Sequence, residues 1–399
     1  MSDAIANQLR LIRDALGRLE TSDTATKDAV AVLLSELIVT EAHQAPNADV
    51  KSETAYIHSI EEASSQERRP RSKEETPEAL DTAALEKFLN SKIAGEGDIA
   101  VVSADTVSRG MSKKTVLVKL KGQRTLPAEI ALRVDRSANN YLGTTVIDEW
   151  GPLELLWKHD ARIPQPFILE PTGSVIGDAF IVFSKATGVP VGGNYVPPAH
   201  NPTLIADTAA CMAKVHSVPV NNWPNASQPQ GDAFFDAQFD EYLSDWRALN
   251  EKSAIMDACF AWIEKHRSLA YGPSVLVHDD FNYNNMLIEN DRVSAILDWE
   301  FAHVGVAAAD LAYLWYAATN ASSWEAFLTA YTDAGGTRPP DDQLDFYLLW
   351  GQLRLAVMGY KAVRNLEEGM FDDVRYGMSR WHRRQGMLRL AELLERLGA

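Results

Sequence analysis

Residues 274–300 read SVLVHDDFNYNNMLIENDRVSAILDWE, and the fold is decided there. An apolar run, Met286 to Ile288, precedes a polar turn at Glu289 to Arg292, and a second apolar run follows up to Asp298. Two apolar segments on either side of a short polar turn predict a β-hairpin. Its polar residues then collect at the open ends, with Asp280, Asn285 and Asp298 at one edge. Asp and Asn in such positions also serve ordinary turns and caps. Grouped at an edge, their oxygens are equally the ligands that a hard cation such as Mg2+ takes.

Around this island the chain is helical. Apolar spacing predicts helices in LIADTAACMAKVHS, in FDAQFDEYLSDWRALN and in the long C-terminal stretch from Leu344. Upstream the pattern changes to strands. VSRGMSKKTVLVKL (107–120) places a glycine turn before alternating apolar residues, and EIALRV (129–134), IPQPFIL and DAFIVFSKA continue the strand pattern. Residues 146–158 read as a helix despite Gly151-Pro152, and a short helix is expected from Leu80 to Leu89. A sheet-rich part followed by a larger helical part predicts an α+β architecture with a cleft between two lobes.

The first ninety residues differ. Leu9, Ile12, Leu16 and Leu19, then Val30, Leu33, Leu34, Leu37 and Ile38, recur at helical spacing and predict a helical appendage over 1–43. Residues 44–78 are polar and charged with almost no apolar periodicity, the composition of a flexible linker. The small lobe is expected over 79–186 and the helical lobe over 187–399.

Composition excludes several classes. The chain has 399 residues and a formal charge of −17, with 46% hydrophobic and 23% charged residues, as in ordinary globular proteins. A strongly acidic chain is unsuited to binding nucleic acid by counterion release. No apolar run approaches the ~20 residues that span a bilayer. The N-terminal twenty residues lack a signal peptide's apolar stretch, so a cytoplasmic location is expected. Cys211 and Cys259 make neither a disulfide framework nor a metal-ligand spacing.

The spacing His278-x-Asp280-x4-Asn285, with Asp298 thirteen residues further on, is that of kinase-like phosphotransferases. VHDDFNYNNMLI…SAILDWEFAHVGVAAADLAYLW resembles the aminoglycoside phosphotransferase and choline kinase-like family, especially the branch fused to acyl-CoA dehydrogenases. The resemblance covers roughly residues 95–390 and implies a two-lobed protein kinase-like fold using ATP and Mg2+. By this resemblance Asp280 orients the acceptor hydroxyl or takes its proton, and Asn285 and Asp298 hold Mg2+ against the phosphates. His278 supports the loop, while Asp310 caps the following helix and braces the loop.

In the small lobe, Gly110, Ser112 and Thr115 match the family's phosphate-covering turn, and Lys113 brings a basic side chain to it. Arg133 stands where kinases carry the lysine that pairs with the α/β-phosphates, and its planar fork suits phosphate. Its acidic partner is expected to be Glu149, with Glu154 as the fallback. Backbone groups near Phe183 to Lys185 stand where the family reads the adenine edge. Two departures stand out. Asp279 replaces the family's usual glycine and places a second negative charge beside Asp280, which either perturbs that carboxylate or points to solvent. GVAA at 305–308 stands where the family has Gly-Asp-Pro, so a local change is expected there.

The function implied is transfer of the γ-phosphate of ATP to a hydroxyl of a small molecule. A nucleotide-binding pseudokinase without transfer, and a metal-dependent hydrolase, are the competing readings. Residues 200–399 carry 16 Lys and Arg against 27 Asp and Glu, so most of the negative charge lies in the helical lobe. That excess suits a cationic acceptor, though solvated helix faces have the same composition. Trp315, Tyr316, Tyr347, Trp350, Tyr360 and Trp381 belong either to the core or to an apolar acceptor pocket.

Overall fold

The computed structural model describes residues 80–107, 113–136, 143–191, 201–225, 227–321, 323–370 and 379–398. The appendage expected over 1–43, the linker over 44–78, and Gly110 and Ser112 lie outside the described residues.

Helix α1 (Thr82–Lys92) starts where Asp81 accepts a hydrogen bond from Ala84 N, and it buries Leu85 and Leu89. A five-stranded antiparallel sheet follows: β1 (Ala100–Val107), β2 (Lys113–Lys121), β3 (Glu129–Asp135), β4 (Pro166–Glu170) and β5 (Phe180–Ser184), in the order β1-β2-β3-β5-β4. The two-residue period of β3 sorts its side chains. Ile130, Leu132 and Val134 pack with Val116, Val118, Leu85 and Leu89 on one face. Arg133 therefore projects from the other face, where Ile181 and Phe183 join the larger core.

That face is covered by α2 (Val146–Lys158), whose buried stripe is Val146, Glu149, Pro152, Leu153 and Leu156. Thr145 and Asp148 form a capping box at its start. Pro152 cannot donate to the Asp148 carbonyl one turn back, and Asn225 Nδ2 donates to that oxygen instead, at 3.1 Å. Gly151 permits the approach, since a Cβ there would lie 2.5 Å from Pro224 Cβ. The Gly-Pro interruption is thus repaired from outside the helix.

The helical region contains α3 (Pro202–His216), α4 (Asp232–Leu249), α5 (Ala254–Lys265), α6 (Ala308–Ala321), α7 (Trp324–Asp333), α8 (Asp341–Glu367) and α9 (Ser379–Arg396). The C-terminal stretch from Leu344, expected to be helical, contains α8 and α9, and α8 ends before Gly369, which takes φ +70°. Helix α8 buries residues around most of its circumference, Arg354 among them. Between α5 and α6 lie two small sheets: β7 (Ser274–Val277) pairs with β10 (His303–Val306), and β8 (Met286–Glu289) forms a hairpin with β9 (Arg292–Ile296). A two-residue strand, β6 (Val189–Pro190), adds to β8. The GVAA departure is absorbed here. Gly305 and Val306 complete β10, and α6 begins at Ala308.

One buried carboxylate holds the hairpin to α3. Asp207 is 6% exposed, pairs with Arg162 at 2.5 Å and Arg292 at 3.1 Å, and accepts from Val293 N at 2.8 Å. Asp207→Ala strands that amide, and a loss of about 1–3 kcal/mol is expected in urea unfolding, the cost of an unmet buried donor.

Candidate active site

Strand β7 delivers the chain into a loop, residues 278–285, whose backbone is gripped from below. Asp310, in the first turn of α6 and fully buried, accepts from His278 N at 2.9 Å and Asp279 N at 2.8 Å. Asp310 is therefore a brace inside the helix rather than its cap. Burial pulls its carboxyl upward, but His216 and His278 outweigh that and hold it below the usual range. His216 is itself fixed by the Tyr331 hydroxyl, 2.7 Å from its Nδ1. His278 Nε2 donates to Leu297 O at 2.9 Å and Nδ1 accepts from Asp280 N at 3.2 Å, so the ring ties the loop to the segment entering Asp298.

Asp280 and Asn285 interlock across the loop. Asn285 Nδ2 donates to Asp280 Oδ2 at 2.7 Å and to Asp280 O at 3.0 Å. This orientation turns Asn285 Oδ1 outward as an acceptor, and Asn284 Nδ2 donates to it at 2.9 Å. The Asp280 carboxyl is pushed up to about 7, chiefly by burial, with Asp298 and Glu300 adding to the rise and Tyr313 and Asn285 opposing it.

The charge expected to perturb Asp280 is not the one that does. Asp279 is 3% exposed, neither solvent-facing nor aimed at Asp280, and its carboxylate meets Arg354 Nη1 of α8 at 2.5 Å. Its φ of +64° explains why a glycine suits this position.

Facing the loop across the cleft is Arg133. Its Nε donates to both Glu149 oxygens, at 2.9 and 2.8 Å, and its Nη2 lies 2.5 Å from Asp298 Oδ1. Glu149 is thus the acidic partner, and Glu154 lies off the buried stripe of α2. Burial pushes Glu149 up to about 7; Asp298 and Glu300 raise it further, and Arg133 opposes them.

Lys113, expected to bring a basic side chain to the phosphates, is instead buried and engaged. It is 1% exposed and its Nζ bonds Thr144 O at 2.6 Å, with Asp135 at 3.6 Å and Glu300 at 3.4 Å. A lysine in that position ties the start of β2 to the segment after Asp298. The amides of Ser184 and Lys185 are also engaged, by Gln165 O at 2.9 Å and Glu129 O at 3.4 Å. Adenine recognition by those two amides is therefore not supported.

Asp298, Glu300 and Glu149 thus gather around Arg133, Glu300 also meets Lys113, and Asp298 and Glu300 act on Asp280. Among the described residues no group of three or more His, Cys, Asp or Glu could hold a metal ion. Asn285 and Asp298 are an oxygen-only pair, which fits a cation that completes its shell with phosphate and water.

This arrangement, a sheet lobe carrying a cationic clamp over a helical region carrying an Asp-Asn-Asp edge, is the kinase-like two-lobed fold. Residues 104–347 match the phosphotransferase enzyme family, and the chain belongs to that family. It is 24% identical over 244 residues to acyl-CoA dehydrogenase family member 11 of Rattus norvegicus, covering 59% of this chain and 31% of that protein. The chain thus spans about a third of the length of that relative. It is 22% identical to hygromycin-B 4-O-kinase of Escherichia coli, over 75% of this chain and 84% of that one. A Ralstonia eutropha structure superposes with TM-score 0.64 at 18% identity, covering 79% of this chain and 99% of that one. The aminoglycoside phosphotransferase APH(4)-Ia, solved with AMP-PNP and hygromycin B, gives TM-score 0.52 at 18% identity, over 78% and 98% of the two chains. No described helix is long and apolar enough to cross a membrane.

Proposed function

We propose that the chain transfers the γ-phosphoryl group of ATP, with Mg2+, to a hydroxyl of a small molecule. The observation that carries this is the interlock of Asp280 with Asn285, whose backbone carbonyl accepts from Leu297 N next to Asp298, together with Arg133, which bonds both Glu149 and Asp298. Asp280 orients the acceptor hydroxyl and takes its proton as the oxygen–phosphorus bond forms and the bond to the β-phosphate oxygen breaks. Asn285 Oδ1 and Asp298 would hold Mg2+, which supplies charge neutralisation on the phosphates. Arg133, anchored by Glu149, would release Asp298 and turn its fork to the α/β-phosphates. Gly110 and Ser112, outside the described residues, would cover the phosphates by their match to the family, while Lys113 holds the start of β2 to Thr144 and Glu300.

Two departures that favour a pseudokinase, Asp279 and Val306, have structural roles here, while the altered glycine turn lies outside the described residues. Asp279 is neutralised by Arg354 and Val306 is an ordinary buried strand residue. The acceptor is a small hydroxylated compound, and no nucleic acid or membrane partner is proposed; the site of action is the cytoplasm. A cationic acceptor gains less support than composition alone suggested. Asp236 and Asp240 pair with Arg267, and Asp245 with Lys361. Trp350 and Tyr347 are core residues, and Trp315, Tyr316 and Tyr360 pack partly buried against the same core. A thermal-shift titration with Mg2+ and ATP, then an ADP-formation screen over aminoglycosides, hydroxylated amines and hydroxyacyl compounds, tests the proposal. Stabilisation by Mg·ATP and turnover on one acceptor class are expected. Binding without turnover on any acceptor would favour the pseudokinase, phosphate release without an acceptor the hydrolase, and no binding would overturn all three.

A further inference from the structure

We propose that Arg354 is a positioning residue for the catalytic loop, acting through Asp279 to supply the fixation of backbone next to Asp280. The inference rests on reading Asp280 as the base. Asp279 sits at φ +64°, a region that side chains other than glycine enter at a cost of about 1 kcal/mol or more. Two grips hold it there. From one side Asp310 Oδ1 accepts its N–H at 2.8 Å; from the other Arg354 Nη1 takes its carboxylate at 2.5 Å. The residue between these grips cannot rotate without breaking one of them, and Asp280 is the next residue along.

The surroundings make the pair obligatory. Asp279 is 3% and Arg354 7% exposed. Gln238 Nε2 is 3.4 Å from Asp279 Oδ2, His303 Nδ1 is 3.9 Å away, and the Arg354 guanidinium lies 5.6 Å from the Tyr242 ring centroid. Gln238 is itself oriented by Trp350 Nε1, which donates to its Oε1 at 3.2 Å. With both side chains this deeply buried, a charge left without its partner would be poorly solvated. A buried ion pair of this kind gives little net stability, but either partner left alone is strongly unfavourable. Its contribution is therefore geometric. It joins the loop to α8 and, through Gln238 and Tyr242, to α4. A family-type glycine would need no such anchor, so Asp279 and Arg354 should be replaceable together but not singly.

The test uses the full chain with Arg354→Met, Asp279→Gly and the double variant, read by amide hydrogen exchange over residues 276–286 and by kcat and KM for Mg·ATP. Arg354→Met is expected to speed exchange of the loop by about 10-fold or more as the stranded carboxylate opens it. It should lower kcat by about 100-fold, the cost of a misplaced reacting group, and leave KM within about 3-fold. Adding Asp279→Gly should restore loop protection and bring kcat back to within about 10-fold of wild type, a coupling that independent sites do not show. If Arg354→Met does not fold, Arg354→Lys takes its place, with a smaller loss in the same direction. Wild-type exchange and kcat in the single variant, or a double variant no better than Arg354→Met, would overturn the proposal. A wild-type chain without ATP turnover would contradict the proposed function instead, and the exchange measurements would still decide the role of the pair.

Discussion

Asp280→Asn is expected to lower phosphoryl transfer by about 10³-fold, within the range for removing a positioned base, while Mg·ATP affinity stays within a few fold. Asn keeps the shape and can still meet Asn285, but it cannot take the acceptor's proton. Initial rates and a nucleotide titration on the same preparation separate these outcomes. The pH dependence follows from the carboxyl's displacement. Because its pKa rises from 3.8 to about 7, the wild-type base is protonated below that value, and kcat/KM for the acceptor should fall with acid. The stability sign is the reverse of an ordinary paired carboxylate. Between 3.8 and about 7 the folded protein keeps a proton that the unfolded chain loses, so this group's ionisation destabilises the fold as pH rises. At pH 8 Asp280→Asn should therefore unfold at the wild-type temperature or above it. A variant that is both inactive and much less stable there would assign Asp280 a structural role.

The second large effect is expected at Asp298. Asp298→Ala removes the only carboxylate of the proposed metal pair and should cost about 10³-fold in kcat, comparable to losing one electrostatic element aimed at the transition state. Unlike Asp280→Asn, it should also raise the Mg2+ concentration needed for half-maximal rate. It leaves Arg133 still bonded to Glu149 at 2.8 Å, so the clamp itself survives. Rate against Mg2+ at saturating ATP is the measurement. An unchanged Mg2+ dependence would remove Asp298 from the metal.

How much of this could be read from residue order depends on the range of each interaction. The hairpin at 286–296 is local, and its apolar runs and polar turn announce it. Arg133 and Glu149 are sixteen residues apart; the family resemblance marks the arginine, and the helix period with Leu153 and Leu156 marks the glutamate. Strand β1 gave no such signal, because an edge strand pairs on one side only and its burial does not alternate. The Arg354–Asp279 pair spans 75 residues, and nothing in the pattern of an almost wholly buried helix marks one arginine as the partner of the loop. Lys113 misleads for a related reason. A lysine beside a glycine turn reads as a phosphate contact, but the fold brings Glu300 from far along the chain to meet it. Asp207 likewise looks like any helical carboxylate until the hairpin is laid against it. Local periodicity thus reveals which faces are buried, while buried charges find partners that only the tertiary arrangement supplies.

The most direct measurement follows the γ-phosphate itself. With labelled ATP, Mg2+ and an acceptor found by the screen, the wild-type chain should move the label to the acceptor as a phosphate monoester, and Asp280→Asn should not. Label released only as inorganic phosphate, or transferred equally by both chains, would contradict the account.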